Sequence, residues 1–245
     1  MGVNKERIDK VLVDRGLVKS RERAKALIMA GNVLVDGQKI DKAGTRINPD
    51  SSIILKEKDH PFVSRGGVKL SFALDYFKVS VSGRTVLDVG ASTGGFTHCV
   101  LMRGARKVYA VDVGHGQLDW LLRNDERVVC MEKTNIRYLS PAQIQDFISL
   151  AVSDTSFISL KKVLGPIINI VQESGEIIAL IKPQFEVKPN EVGKGGVVKN
   201  ERLHIRVIDE IVEYAKGLGV EVRGTVESPL KGPKGNKEFF IYLKK

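Results

Sequence analysis

Apolar positions recur along this chain in two different regimes, and the change between them falls near residue 60. Before it, Ile8, Val11, Leu12 and Leu17 follow one another at helical spacing and predict a helix over 5–16. A second helix is predicted over 20–30, with Ala24, Leu27 and Ile28 as its apolar stripe, Ser20 as N-cap and Gly31 as its stop. Arg23 stands where a capping box would carry Glu, so only half of that signal is present. Val33-Leu34-Val35 and Lys39-Ile40 flank Asp36-Gly37, a strong hairpin turn, and Ser52-Ile53-Ile54-Leu55 supplies another strand. Lys56 to Phe62 is charged and then broken by Pro61, as a linker would be.

Beyond the linker, short apolar runs alternate with amphipathic stretches to the end of the chain. Strands are predicted over 84–89, 107–112, 128–132, 149–154, 176–182, 220–227 and 237–243. Helices are predicted over 66–77, 95–103, 115–123, 141–147, 159–172 and 200–217. Such alternation implies an α/β fold whose mostly parallel sheet is covered on both faces. The expected organisation is a small α+β domain over 1–59, a linker over 60–65 and the α/β domain over 66–245.

Composition changes this picture in one respect. Hydrophobic residues make up 42% and charged residues 28% of 245, as in a soluble globular protein. The formal charge of +10, however, suggests a polyanionic partner, with nucleic acid ahead of membrane. No apolar run reaches the length of a membrane span, and Met1 to Arg7 has no apolar stretch behind it of the kind a signal peptide needs. Cys99 and Cys130 both sit in apolar patterns, too few for a disulfide framework or a zinc site. The expectation is a cytoplasmic protein with free thiols and no metal.

The most specific chemistry lies in Asp88-Val89-Gly90-Ala91-Ser92-Thr93-Gly94-Gly95-Phe96-Thr97, where an apolar strand passes through a small-residue loop into a helix. Glycine lets the backbone approach a ligand or take positive φ, and the helix start offers unpaired N–H groups. A dinucleotide site would carry a glycine where Ser92 stands. The spacing Asp88-x-Gly90-x-x-x-Gly94-Gly95 instead resembles the first motif of Rossmann-like, class I methyltransferases, which bind S-adenosylmethionine. Asp112, which closes the next strand about 20 residues on, suits the hydroxyls of a ribose.

Three charges follow apolar strands directly: Asp112, Asp154 and Lys182. An unpaired buried charge is costly, so each is paired or functional; Asp154 and Lys182 alone read equally well as an ion pair between strand ends. Lys69 in Ser64-Arg65-Gly66-Gly67-Val68-Lys69-Leu70 and Glu238 in the last strand tip that balance. Lys69, Asp154, Lys182 and Glu238 stand in the order of the Lys-Asp-Lys-Glu tetrad of ribose 2′-O-methyltransferases, which they resemble. Along the N-terminal helices run Arg15, Lys19, Arg21, Arg23 and Lys25, a face that can track phosphates, although such a face is more often simply solvated.

Two family resemblances gather these features. Arg7-Ile8-Asp9-Lys10-Val11-Leu12, Ser20-Arg21-Glu22-Arg23-Ala24 and Ile28 to Gly37 closely resemble the S4-type RNA-binding domain. Ser64 to Leu70, Asp88 to Thr97, Ala110 to Leu118, Thr134-Asn135-x-Arg137, Asp154-x-Ser156-Phe157-Ile158-Ser159 and Ile181 to Glu186 resemble the TlyA family over essentially the whole chain. That family joins an S4-type domain to an FtsJ-like methyltransferase. The resemblance implies a seven-stranded Rossmann-like domain with helices on both faces, preceded by a small α+β domain, and S-adenosylmethionine as cofactor. Its implied cofactor residues are Asp88, Gly90, Ala91, Ser92, Thr93, Gly94, Gly95, Phe96, Asp112 and Asp154. The implied catalytic set is Lys69, Asp154, Lys182 and Glu238, with Arg7, Arg15, Lys19, Arg21, Arg23, Lys25 and Arg65 on RNA. The implied activity is ribose 2′-O-methylation of ribosomal RNA, at cytidine in 16S and/or 23S, with ribosomal subunits as partners.

The residues weigh against other readings. Amino-group methyltransferases that act on bases carry an Asn/Asp-Pro-Pro-aromatic motif, whereas this chain has Asp154-Thr155-Ser156-Phe157. Methylation at pyrimidine carbon needs a nucleophilic cysteine, and neither Cys99 nor Cys130 is at the acceptor position. The family is also labelled hemolysin, but a pore former needs membrane-spanning or strongly amphipathic apolar segments. A catalytically silent RNA-binding protein is a second alternative, against which the complete tetrad argues, and a small-molecule methyltransferase is a third, which would leave the basic N-terminal domain unexplained. Two departures from the family stand out: His98 where relatives carry Asp, and His60-Pro61-Phe62-Val63 where some carry Arg-x-Trp-Val. The Gly-rich, charged stretch Glu186 to Val198 reads as a loop beside the active site, ordered by RNA, or as a plain surface loop.

Overall fold

A computed structural model describes residues 5–18, 20–29, 31–56 and 60–245. The chain forms two compact units, Met1–Pro61 and Phe62–Lys245.

In the first unit, β1 (Glu6–Arg7) leads into α1 (Ile8–Asp14) and is followed by α2 (Arg21–Met29), β2 (Val33–Val35), β3 (Gln38–Ile40), β4 (Arg46–Ile47) and β5 (Ile53–Leu55). The hairpin turns at Asp36 (φ +50°) and Gly37 (φ +80°), the left-handed pair that a tight hairpin demands. β2 pairs antiparallel with both β3 and β5, while β1 pairs with β4. Ile8, Leu12, Ala24, Ile28 and Val33 are fully buried together, so the two helical stripes and the sheet share one core.

The second unit runs α3 (Gly66–Tyr76), β6 (Thr85–Val89), α4 (Gly95–Met102), β7 (Lys107–Val111), α5 (Trp120–Arg123), β8 (Val128–Met131), β9 (Ile148–Ser153), α6 (Lys161–Ile170), β10 (Val171–Ile181), α7 (Glu201–Gly217), β11 (Glu221–Glu227) and β12 (Phe239–Lys244). The seven strands lie in the order β11-β12-β10-β9-β6-β7-β8. β6 is parallel to both β7 and β9, β10 is parallel to β9, and β12 is antiparallel to β10 and β11. Two apolar layers cover the sheet, one including Leu70, Val100, Leu122 and Phe240, the other Ile136, Leu164, Ile167 and Ile211. Successive crossovers leave β6 in opposite directions toward β7 and β9, so the carboxyl ends of these strands diverge into a crevice.

Two predicted helices are largely absent. Over 115–123 only Trp120–Arg123 is helical, because the Glu132 carboxylate takes the N–H groups of Gln117 (3.0 Å) and Leu118 and holds them in a loop until Asp119 caps α5. Over 141–147 a single 3-10 turn forms at Pro141–Gln143. Ser140 and Gln143 box that turn, while Asp146 is drawn to Lys107 and Tyr109, both at 2.7 Å. In both places a side-chain partner distant in sequence overrides local periodicity.

Candidate functional site

The crevice begins where β6 ends. Gly90, at φ +83°, donates its N–H to Val111 O at 2.9 Å, and Ala91 does so at 3.2 Å, so the loop crosses onto the end of β7. A Cβ at Gly90 would lie 3.0 Å from Asp154 O and 3.1 Å from Thr155 Cα, both backbone atoms that cannot swing aside. Ser92, also left-handed at φ +49°, donates its N–H to Asp112 Oδ2 at 2.8 Å, and the Gly114 N–H reaches Oδ1 at 2.7 Å. Those two bonds fix the Asp112 carboxylate at the strand end and leave it lone pairs for further donors.

A cleft of about 590 Å³ opens there, walled by Gly90, Ser92 and Asp112 on one side and by Asn135, Ile136, Asp154 and Ser156 on others. Its mixture of apolar wall and a few fixed polar groups suits a nucleoside-sized ligand. Of the loop residues singled out in the sequence, Gly90 and Ser92 line it, as do Asp112 and Asp154. Asp88, Ala91, Gly94, Gly95 and Phe96 are buried behind the wall, and Thr93 is exposed outside it. Gly94 (φ +93°) and Gly95 serve packing: a Cβ on Gly94 would strike Leu122 and one on Gly95 the Ser64 hydroxyl, each at 2.2 Å. Phe96 stacks on Phe240 beneath the sheet end, ring centres 6.3 Å apart. The walls at Val113, Gln117, Thr134, Asn135 and Ile136 escaped the reading of single residues; the motif Thr134-Asn135-x-Arg137 was the signal for them.

Asp88 is fully buried and accepts the Thr97 hydroxyl at 2.6 Å, while its Oδ1 meets no hydrogen-bond donor. Burial pushes its carboxyl up to about 7, with the charges of Asp154 and Asp112 adding to the shift and the Thr97 bond opposing it. It supports the loop from below.

The four charges of the tetrad form two ion pairs. Lys182 Nζ lies 2.6 Å from Asp154 Oδ1 and donates to Ser156 Oγ at 2.7 Å, joining the ends of β9 and β10. Lys69 Nζ, on α3, lies 2.6 Å from Glu238 Oε2, just before β12. The β10–β12 ladder ends at Ile181 opposite Phe239, so the next rung sets Lys182 beside Glu238. Lys69, Lys182 and Glu238 are all buried, whereas Asp154 also faces the cleft. Breaking either buried pair would strand a charge.

Phe157 stands at the cleft's edge, 92% exposed and left-handed at φ +62°, with its ring centre 5.2 Å from that of Phe185. An aromatic residue held outward in a strained conformation is a feature that periodicity does not reveal. The two departures from the family pattern touch each other: the Val63 N–H donates to His98 Nδ1 at 3.2 Å, and the His98 ring meets Phe62 edge-on. His98 therefore faces the segment leading into α3, and its partial burial lowers its pKa.

In the first unit, Arg7 and Arg21 both clasp the fully buried Asp9, at 3.0 and 2.8 Å, with each guanidinium half exposed. The pair, Arg7 foremost, holds the Asp9 carboxyl well below the usual range. Arg15 donates to Ser51 O at 2.7 Å, Arg23 meets His60 at 3.0 Å, and Lys25 is exposed. Arg65 precedes α3 in the second unit, and Lys19 lies outside the described residues.

Among the described residues no group of three His, Cys, Asp or Glu is placed to hold a metal ion, and no helix is long and apolar enough to cross a membrane. Both cysteines are free; burial pushes the Cys99 thiol up to about 12.

Comparison with known proteins agrees with this geometry. Residues 62–245 match the FtsJ-like methyltransferase family and residues 6–53 the S4 domain. The 16S/23S rRNA (cytidine-2′-O)-methyltransferase TlyA of Mycobacterium tuberculosis is 45% identical over 97% of this chain and 89% of its own length. A solved structure from Streptococcus thermophilus that carries a hemolysin name is 41% identical, covering 100% of this chain and 90% of that one with a TM-score of 0.78. An S-adenosylmethionine dependent methyltransferase from Mesorhizobium loti shares the fold alone, at 13% identity and TM-score 0.54 over 71% of this chain and 96% of that one. With its catalytic unit matched from end to end, this chain belongs to the FtsJ-like methyltransferase family and carries an S4 domain ahead of that unit.

Proposed function

We propose that this chain transfers a methyl group from S-adenosylmethionine to a ribose 2′-hydroxyl of ribosomal RNA, at cytidine in the 16S and/or 23S molecule. The observation that carries the reading is the Lys182–Asp154 ion pair at the lip of the cleft, with Lys69–Glu238 one rung away. The 45% identity to a cytidine-2′-O-methyltransferase supports the choice of acceptor.

The cleft fits the cofactor's chemistry. Asp112, oriented by two backbone N–H groups, would accept the ribose hydroxyls, and Gly90 keeps a Cβ out of the space beside Asp154. When bound, S-adenosylmethionine supplies an electrophilic methyl group. The chain's own task is to present the acceptor oxygen in line and to remove its proton, for a ribose hydroxyl is a poor nucleophile. Lys182 would orient that hydroxyl and, once its own ammonium has released a proton to solvent, take the hydroxyl's proton on the freed lone pair. Asp154 and Ser156 hold the amine in place, and Glu238 holds Lys69 beside it. The outward ring of Phe157 offers a face on which the acceptor base can stack. In the first unit, arginines fixed on Asp9 would meet RNA phosphates. We place the reaction in the cytoplasm, on ribosomal subunits.

Gly90→Ala is expected to weaken S-adenosylmethionine binding by about 5- to 30-fold, since it forces a Cβ against backbone and a residue out of its left-handed conformation, a strain of about 1–2 kcal/mol. Isothermal titration calorimetry checks this; an unchanged dissociation constant would remove Gly90 from the cofactor wall. The function itself is tested by incubating the protein with methyl-labelled S-adenosylmethionine and separated ribosomal subunits, then locating the modified nucleotide by mass spectrometry. A 2′-O-methylcytidine is expected. Label on a base, or none on either subunit with cofactor bound, would overturn the proposal.

A further inference from the structure

Lys194, Lys199, Lys231 and Lys234 are exposed on two loops that adjoin the tetrad. Among the described residues, none of the four has a carboxylate within ion-pair range, because the acids nearby are taken. Arg206 holds Glu191 at 2.7 Å, Lys237 holds Glu227 at 3.4 Å and Glu201 at 3.8 Å, and Lys69 holds Glu238 at 2.6 Å. Elsewhere in the same unit Arg84, Arg103, Lys107, Arg123 and Arg127 each hold an acid, while Lys78 and Lys162 stand apart from one another without one. Beside the tetrad, four exposed lysines without an acid partner share two loops.

The two loops are also fastened together from below. Asn236, only 2% exposed, accepts the Val198 N–H and donates to Gly196 O, both at 2.9 Å. His204, buried on α7, donates from Nε2 to Val198 O at 2.9 Å. Lys234 lies across Gly196, where a Cβ would come within 3.5 Å of its Nζ. Gly232 packs against the tetrad itself, for a Cβ there would lie 2.4 Å from Glu238 Oε1. A lysine-bearing loop that is merely solvated needs no buried amide and imidazole to fix its backbone, and need not touch Glu238.

We infer that these loops form a second RNA-binding surface, on the methyltransferase unit, that tracks the phosphates of the strand presenting the acceptor ribose. The inference rests on reading the tetrad as the ribose site: a ribose in a chain carries a phosphate on either side, and those phosphates must lie against the surface around it. The loop backbone is fixed before RNA arrives, so binding has only the lysine side chains left to order there.

The test uses the full chain and protein-free 16S and 23S rRNA. The dissociation constant is measured against salt for wild type, for K231Q/K234Q, and for K78Q/K162Q as a control of equal charge on exposed lysines elsewhere. The slope of log Kd against log salt should fall by about 1.4–1.8 in K231Q/K234Q, the share of two phosphate contacts, and stay unchanged in the control. An unchanged slope in K231Q/K234Q, an equal fall in the control, or no RNA affinity in wild type would overturn the inference. Methyl transfer is assayed in parallel. RNA binding that depends on these lysines without any transfer would defeat the catalytic reading and leave the surface standing. Transfer with an unchanged slope would defeat the surface alone.

Discussion

Lys182→Ala should lower kcat for methyl transfer by about 10²- to 10⁴-fold, the range for removal of a group that handles the reacting proton. The dissociation constants for S-adenosylmethionine and RNA should change far less than kcat, because Lys182 does not itself line the cleft, although Asp154, which does, loses its partner. Lys182→Arg separates two roles that alanine merges. Arginine keeps the positive charge beside Asp154 but does not deprotonate in proteins, so it can steer the hydroxyl and cannot accept its proton. Residual turnover in the arginine variant well above that of alanine would assign the effect to steering; equal loss in both would assign it to proton removal. Single-turnover measurement of methyl transfer distinguishes these outcomes, and wild-type turnover in Lys182→Ala would end the assignment.

Asp88→Asn should abolish the fall in stability that burial of the Asp88 carboxyl is expected to give wild type between about pH 4 and pH 7. In the folded protein the Asp88 carboxyl is pushed up to about 7, chiefly by burial; unfolded, it titrates near the ordinary value of about 3.9. Between those values the folded state holds a proton that the unfolded state has released. Stability therefore falls as pH rises through that window and levels off above the folded pKa. Three pH units correspond to a loss of about 4 kcal/mol. Asparagine keeps the shape and an acceptor for Thr97 but cannot ionise, so its stability should not change through this group. Its amide N–H₂ would occupy the place of Oδ1, which meets no hydrogen-bond partner, so the variant should be less stable than wild type at pH 4 by about 1–3 kcal/mol. Urea unfolding at pH 4 and pH 8 measures both effects. Identical pH slopes in the two proteins would show that Asp88 stays ionised in the fold.

The parts of the site that could be read along the chain are those carried by one contiguous segment. The glycine loop from Gly90 to Gly95 is such a segment, as is the strand-ending Asp112, because a turn of positive φ and a charge after an apolar run leave their mark locally. The loop's residues nevertheless divide in space. Gly90 and Ser92 face the cleft, while Gly94, Gly95 and Phe96 serve helix packing, and nothing in the local pattern separates the two groups. The basic face of the first unit was legible as charge. That Arg7 and Arg21 are both committed to Asp9 was not, since Asp9 looks like any polar helix residue until the fold closes over it.

By itself, then, the sequence determined the alternation of strands and helices, the division near residue 60 and the kind of cofactor loop. These follow from periods of two and 3.6 residues and from glycine's freedom at positive φ. Tertiary structure decided the rest. It shortened the expected helices over 115–123 and 141–147, because Glu132 takes N–H groups from within the first and Asp146 finds its partners outside the second. It brought Lys69 to Glu238 across 169 residues of chain and set Lys182 on Asp154. The physical reason is common to both: a buried charge or an unpaired N–H must be satisfied, and which partner satisfies it depends on which strand ends the sheet brings together.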